Sequence, residues 1–212
     1  MAKPFLALPL ETSPRLITLA LDNVAMSEPE TLFPTGTSTF AARPTARFMR
    51  GDVAHWIALG FGSGLSRFAP GTVGTLWAWV AFIALSPWMN DLRWAVVIAV
   101  SLPVGWWACS RTARHMGVLD PGSIVWDEIV AFWLVLWLVM PTGVWGQLFA
   151  FGLFRFFDAV KPGPVGWADR LFHGTDTASD RFAWVKAGAG IMLDDLVAAM
   201  CTLLVIAVWR WI

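Results

Sequence analysis

The chain has no tyrosine, only three histidines and two cysteines in 212 residues, and few charged side chains of either sign. Most of these scarcities exclude a class of chemistry. Cys109 and Cys201 match no zinc or redox spacing, and both sit in apolar stretches where small buried hydrophobes are expected. His55, His115 and His173 are scattered, which argues against a zinc site built from several imidazoles. Fifteen basic residues balance fifteen acidic ones, so there is no basic field to hold nucleic acid, and no such partner is expected. No basic start leads into a long apolar core and a small-residue cleavage site, so a secretory leader is not expected. No internal repeat is visible. The missing tyrosine has no physical account.

What is abundant is apolar. Hydrophobic residues make up 57% of the chain and charged ones 14%, against about 25% charged in a typical soluble domain. Mean hydropathy is +0.62. A chain of one-domain length has no core large enough to absorb this, whereas lipid-facing helices do. Fifteen tryptophans point the same way, because Trp gathers at membrane–water interfaces.

Residues 1–55 differ from the rest. They mix Pro, Thr, Ser and charges, and read as a poorly ordered N-terminal tail ahead of a membrane-embedded domain over 56–212. A span needs about 20 apolar residues. Candidates run from Thr72 to Met89, from Trp94 to Cys109 with a kink or break near Pro103, from Ile124 to Met140, from Val144 to Phe157, and from Gly188 to Trp211. Trp56 to Leu65 is apolar but too short to cross. The expected fold is all-α, a polytopic membrane helix bundle with four to five transmembrane segments. Arg43, Arg47, Arg50, Arg67, Arg111, Arg114, Arg155, Lys161, Arg170, Arg181 and Lys186 fall on one side of these spans, which sets that side in the cytoplasm.

Four polar stretches collect on that side. Gly60–Leu76, GFGSGLSRFAPGTVGTL, opens the first span, and its Pro70, Gly71 and Thr72 look like a helix start with Thr72 as cap. Free N–H groups there suit a phosphate, although glycines equally serve close helix packing. Asp120–Val130 places Asp127 and Glu128 in the first turns of a span. Phe154–Arg170 spaces Arg155, Asp158 and Lys161 three apart, roughly on one helix face. Gly188–Met200 embeds Asp194 and Asp195 in an apolar span with no basic residue before Arg210. A charge at the bilayer centre costs roughly 2.5–3.5 kcal/mol on insertion scales, so this pair should face a polar interior. Oxygen-rich acid clusters suit magnesium, which also accepts phosphate oxygens.

Taken together and in this order, GFGSGLSRFAPGTVGTL, GSIVWDEIVAFW, FRFFDAVKPGPVGWADR and GAGIMLDD resemble the phosphatidylglycerophosphatase A family, over about two thirds of the chain. The resemblance implies a magnesium-dependent enzyme of the bacterial inner membrane that hydrolyses phosphatidylglycerophosphate to phosphatidylglycerol, with its site facing the cytoplasm and its substrate in the bilayer. Asp127, Glu128, Asp158, Asp194 and Asp195 match the family's acids and are the expected catalytic residues. Asp127, Glu128, Asp194 and Asp195 are expected to hold metal, with Asp158 either a further ligand or a general base. Arg155 and Lys161 are expected to contact the phosphate, with Ser63, Thr72, Gly74 and Thr75 completing its cradle. Two features depart from the family pattern. The N-terminal tail is long, and TDTASDRFAWVKA, residues 175–187, looks like an insertion after His173 and Gly174.

Neither cysteine is followed by arginine at the spacing of cysteine phosphatases, no DxDxT motif marks an aspartyl nucleophile, and the three-part Arg/His signature of another lipid phosphatase class is missing. Direct attack by water is therefore expected. The competing reading is an ion- or proton-coupled transporter that uses the intramembrane acids.

Overall fold

The computed structural model describes residues 43–171, 180 and 182–212. Most of the expected tail, residues 1–42, lies outside the described residues, as do His173 and Gly174. Residues 43–55 carry α1 (Ala46–Met49) and the start of α2 (Val53–Ala58), capped by Thr45 and Asp52 respectively. A 3-10 segment, Gly60–Leu65, follows. Next come α3 (Pro70–Leu85), α4 (Asp91–Met116), α5 (Trp126–Val139), α6 (Val144–Val160), α7 (Pro164–Arg170) and α8 (Ala183–Trp211). No strand occurs among the described residues.

The helices form a bundle around α5, which contacts α3, α4, α6 and α8. Ile129, Val130, Ala131, Phe132, Val135 and Leu136 on α5 are all fully buried. A helix apolar on every side has to be surrounded, and α5 is the one at the centre. Its four neighbours turn apolar side chains outward. Val80 and Ile83 on α3, Val96 and Val100 on α4, Trp145 and Phe149 on α6, and Leu204 and Val208 on α8 are all exposed.

Two helices, α4 and α8, are long and apolar enough to cross a membrane by length and composition. The other candidates are shorter than a standard span, with 16 residues in α3, 14 in α5 and 17 in α6. Pro103 does not break α4, which continues from Asp91 to Met116. One missing N–H is tolerable in a helix whose neighbours bind its backbone, and Trp126 Nε1 donates to Ser101 O at 3.2 Å just before the proline. Thr72 is not the cap of α3. Ala69 turns through the left-handed region (φ 43°, ψ 62°), and Pro70 starts the helix with its fixed φ, leaving Thr72 inside the first turn.

The C-terminal part of the apparent insertion is helical. Residues 183–187 extend α8 by more than a turn, and Trp106 Nε1 on α4 donates to Val185 O at 2.8 Å. Just beyond, a Cβ on Gly188 would lie 2.0 Å from Ser110 Oγ and 2.8 Å from Ser110 N, so α4 and α8 meet backbone to backbone. Gly188→Val is expected to force these helices apart at a cost of about 1–3 kcal/mol. A lowered unfolding midpoint in detergent, measured by circular dichroism, is the readout, and an unchanged midpoint contradicts this close approach.

Candidate active site

The acids expected from the motifs are assembled by two helix ends and the middle of a third helix. α5 begins with Trp126, so Asp127 and Glu128 fall in its first turn. α6 runs down to Val160 and carries Arg155 and Asp158 in its last two turns. α8 passes alongside both and supplies Asp194 and Asp195 from its middle. The opposite end of the bundle is marked by other contacts. Arg210 donates to Val139 O at 2.9 Å, and Trp137 Nε1 donates to Asp91 at 3.3 Å.

Arg155 is the hinge of the cluster. Its Nη1 lies 3.1 Å from Glu128 Oε1 and 2.5 Å from Asp158 Oδ2. The same nitrogen donates to Thr75 Oγ1 at 3.4 Å, and Thr75 in turn donates to Gly71 O at 2.9 Å. The glycines of α3 are needed here for space. A Cβ on Gly71 would sit 1.9 Å from Glu128 Oε1, and one on Gly74 would sit 2.8 Å from Val125 Cβ and 3.3 Å from Glu128 Oε2. Gly74 and Thr75 thus belong to the wall that holds Glu128 and Arg155. Gly71 does too, although its motif gave it no role beyond a helix start. Thr72 is half-buried in the same turn. Ser63 is spent locally, its hydroxyl donating to Gly60 O at 2.8 Å, and it has no hydrogen bond to the acids.

Lys161 forms a second bridge. It ends α6 in the left-handed region (φ 48°), which swings its side chain to Asp194 on α8, at 2.5 Å, and to Asp169 on α7. Partial burial disfavours the ammonium, but the hydrogen bonds to Asp169 and Asp194 outweigh that and hold it above its ordinary value. Asp169 had no role assigned from the sequence. Its place in the GWADR end of the third motif was the only available signal.

The acids do not all face one point. One oxygen each from Glu128, Asp158 and Asp195 lie within 4.8 Å of one another. Asp194 instead meets Lys161, and its Oδ1 accepts the Asp195 N–H at 3.1 Å. Asp127 is buried and close enough to Asp195 for their charges to interact. Asp127 Oδ1, Glu128 Oε2 and Asp195 Oδ2 are buried with no hydrogen-bond partner among the described residues. Orphaned buried carboxylate oxygens are costly and call for a cation or water. An all-oxygen donor set with spare lone pairs fits a hard divalent ion such as magnesium.

Removing Lys161 leaves Asp169 and Asp194 without their shared cation. Lys161→Met is expected to lower stability by about 1–3 kcal/mol, read as an earlier unfolding midpoint in detergent. The folded ammonium keeps its proton above the ordinary lysine value of 10.5. Its contribution is therefore complete below that pH and is lost as pH rises through the raised value. The difference between Lys161→Met and the unsubstituted chain should persist through neutral pH and shrink as pH rises through that alkaline range, and a difference that vanished near neutral pH would contradict the pairing.

Comparison with known proteins places this arrangement. A family model described as phosphatidylglycerophosphatase A matches residues 56–210. Phosphatidylglycerophosphatase A of Escherichia coli is 40% identical over 147 residues, covering 69% of this chain and 77% of that protein. Phosphatidylglycerophosphatase A of Haemophilus influenzae is 36% identical, covering 74% and 89%. A putative phosphatidylinositol-3-phosphatase of Bacteroides thetaiotaomicron is 37% identical, covering 74% and 92%. No solved structure matches. With the matched region spanning every helix that supplies an acid to the cluster, the chain belongs to the phosphatidylglycerophosphatase A family.

Proposed function

We propose that this protein is a magnesium-dependent lipid phosphatase that hydrolyses phosphatidylglycerophosphate to phosphatidylglycerol and phosphate. Family membership supports the reaction. The observation that carries the mechanism is the imbalance of charge at the site, where Asp127, Glu128, Asp158, Asp194 and Asp195 are answered, among the described residues, by Arg155 and Lys161. A divalent ion corrects that imbalance, and the phosphate it attracts is itself an anion that the two basic groups can meet.

Glu128, Asp158 and Asp195 are the residues we assign to the ion, with Asp127 and Asp194 beside them. When bound, magnesium supplies electrostatic stabilisation of the phosphoryl oxygens and a more acidic water. The chain's own groups do the rest. The Arg155 guanidinium, held by Glu128, Asp158 and Thr75, presents its remaining N–H donors to the phosphate. Lys161 adds a point charge fixed between α7 and α8. Asp127 Oδ1, buried without a donor among the described residues, is the group we assign to take the proton of the attacking water. The walls from α3 and α5 keep bulk solvent out, which strengthens each of these charges.

The setting we propose is the bacterial inner membrane. α4 and α8 cross it, and α3, α5 and α6 complete a bundle of four to five spans, with tilt or local thinning accommodating the shorter ones. The outward apolar faces support this reading. The site then lies at the cytoplasmic face, within reach of a headgroup whose acyl chains stay in the leaflet. A transporter reading finds no support in the relatives, all of which carry phosphatase names.

The decisive assay is phosphate release by the detergent-solubilised protein from phosphatidylglycerophosphate and from phosphatidic acid, each with magnesium and with chelator. Release from the first alone, abolished by chelator, is the expected result. Asp195→Asn and Glu128→Gln should each lower kcat by at least about a hundredfold. Full activity in either variant removes it from the machinery, and no release by folded protein from either lipid overturns the phosphatase reading.

A further inference from the structure

A second group of ligating side chains lies outside the acidic cluster, on the link between α2 and α4. It uses residues that no motif claimed. Asp52 caps α2, its Oδ1 accepting the Ala54 N–H at 2.9 Å and its Oδ2 facing Arg111 Nε at 2.7 Å. The cap and the guanidinium hold its carboxyl below the usual range, so it is an anion at neutral pH. His55 is one turn further on and buried. Its ring stacks on Phe48 with centroids 4.0 Å apart, and its Nδ1 lies 2.8 Å from Phe48 O.

A carbonyl only accepts, so Nδ1 of His55 carries a hydrogen. In the neutral ring Nε2 then bears the lone pair. That nitrogen points at Nδ1 of His115, 2.8 Å away. At this distance the Nδ1–H of a neutral His115 donates to the lone pair of His55 Nε2, and in the other tautomer a small turn of the exposed His115 ring opens both lone pairs to one metal ion. One ligand atom each from Asp52, His55 and His115 lie within 4.8 Å of one another. His115 is exposed, which leaves room for water as a further ligand.

Three features distinguish this from two histidines that merely share a proton. The Nδ1–H of His55 is anchored to a backbone carbonyl, the support that metal-bound histidines commonly have. A carboxylate already ionised stands beside the pair. It has about four lone-pair sites, of which Ala54 and Arg111 use two. The donor set is nitrogen-rich, unlike the oxygen set of the acidic cluster, and so selects a different ion.

We propose that Asp52, His55 and His115 form a second cation site for a borderline divalent ion such as Zn2+, tying α2 to α4. The tie bears on the catalytic end through one bond. The Ala58 carbonyl at the end of α2 accepts the N–H of Val125, at 2.9 Å, two residues before Asp127. The site is independent of the phosphatase reading, and its test needs no lipid substrate.

The full-length protein in detergent, stripped by chelator and dialysis, is titrated with Co2+ and followed by visible ligand-field absorption. One equivalent should give a band that Zn2+ then removes. His115→Gln should weaken Co2+ binding about tenfold or more, with an unchanged circular dichroism spectrum. His115→Cys should keep the ion and add a thiolate charge-transfer band, which a merely structural histidine would not produce. Asp195→Asn should leave the band intact. Binding as tight in His115→Gln as in the parent chain, or no visible band in the parent, overturns the proposal. Loss of the band in Asp195→Asn but not in His115→Gln assigns the ion to the acidic cluster and overturns it equally.

Discussion

Negative charge gathered at one end of an apolar bundle sets the terms for everything around it. Asp127, Asp158, Asp194 and Asp195 are buried, with Glu128 nearly so, and among the described residues Arg155 and Lys161 reach them with opposite charge. A carboxylate removed from water must be paired, hydrogen-bonded or neutralised. The local structure follows from that demand. α6 ends with a lysine in a conformation usually left to glycine, and this puts the ammonium between two acids on neighbouring helices. α3 carries glycines where any side chain would displace Glu128. Three oxygens still lack partners among the described residues, and that deficit is what makes the cluster receptive to a cation.

The sequence disclosed the ingredients of this site better than its arrangement. Acids embedded in apolar segments are costly enough to stand out without any structure, so Asp194 and Asp195 were legible from composition alone. Their different partners were not. Adjacent residues on a helix point about 100° apart, and which of them meets Lys161 depends on how α6 and α8 cross. The three-residue spacing of Arg155 and Asp158 correctly implied a pair, but the bond to Glu128 joins segments that the spacing does not relate. Gly71 and Asp169 were in view as letters of motifs, and only the contacts of α3 with α5, and of α7 with α8, gave them work.

Elsewhere local rules were overruled by tertiary ones. Thr72 has the chemistry of a helix cap, yet the fixed φ of Pro70 starts the helix earlier. Pro103 has the chemistry of a breaker, yet α4 runs through it. The scarcity of histidine argues against a zinc site of several imidazoles. Rarity along the chain says nothing about proximity in space, and His55 and His115, sixty residues apart, meet at 2.8 Å.

The central position of α5 has a consequence for how the molecule comes into being. Its first-turn Glu128 takes its cation, Arg155, from α6, which follows it along the chain, and its neighbouring acid Asp195 from α8, which follows later still. During translation Asp127 and Glu128 are made before the arginine that answers Glu128. The nascent chain therefore carries unmatched acids until α6 has been made. The acid cluster is in this sense a late feature of the chain, complete when α8 packs against α5 and brings Asp195 beside Glu128 and Asp158.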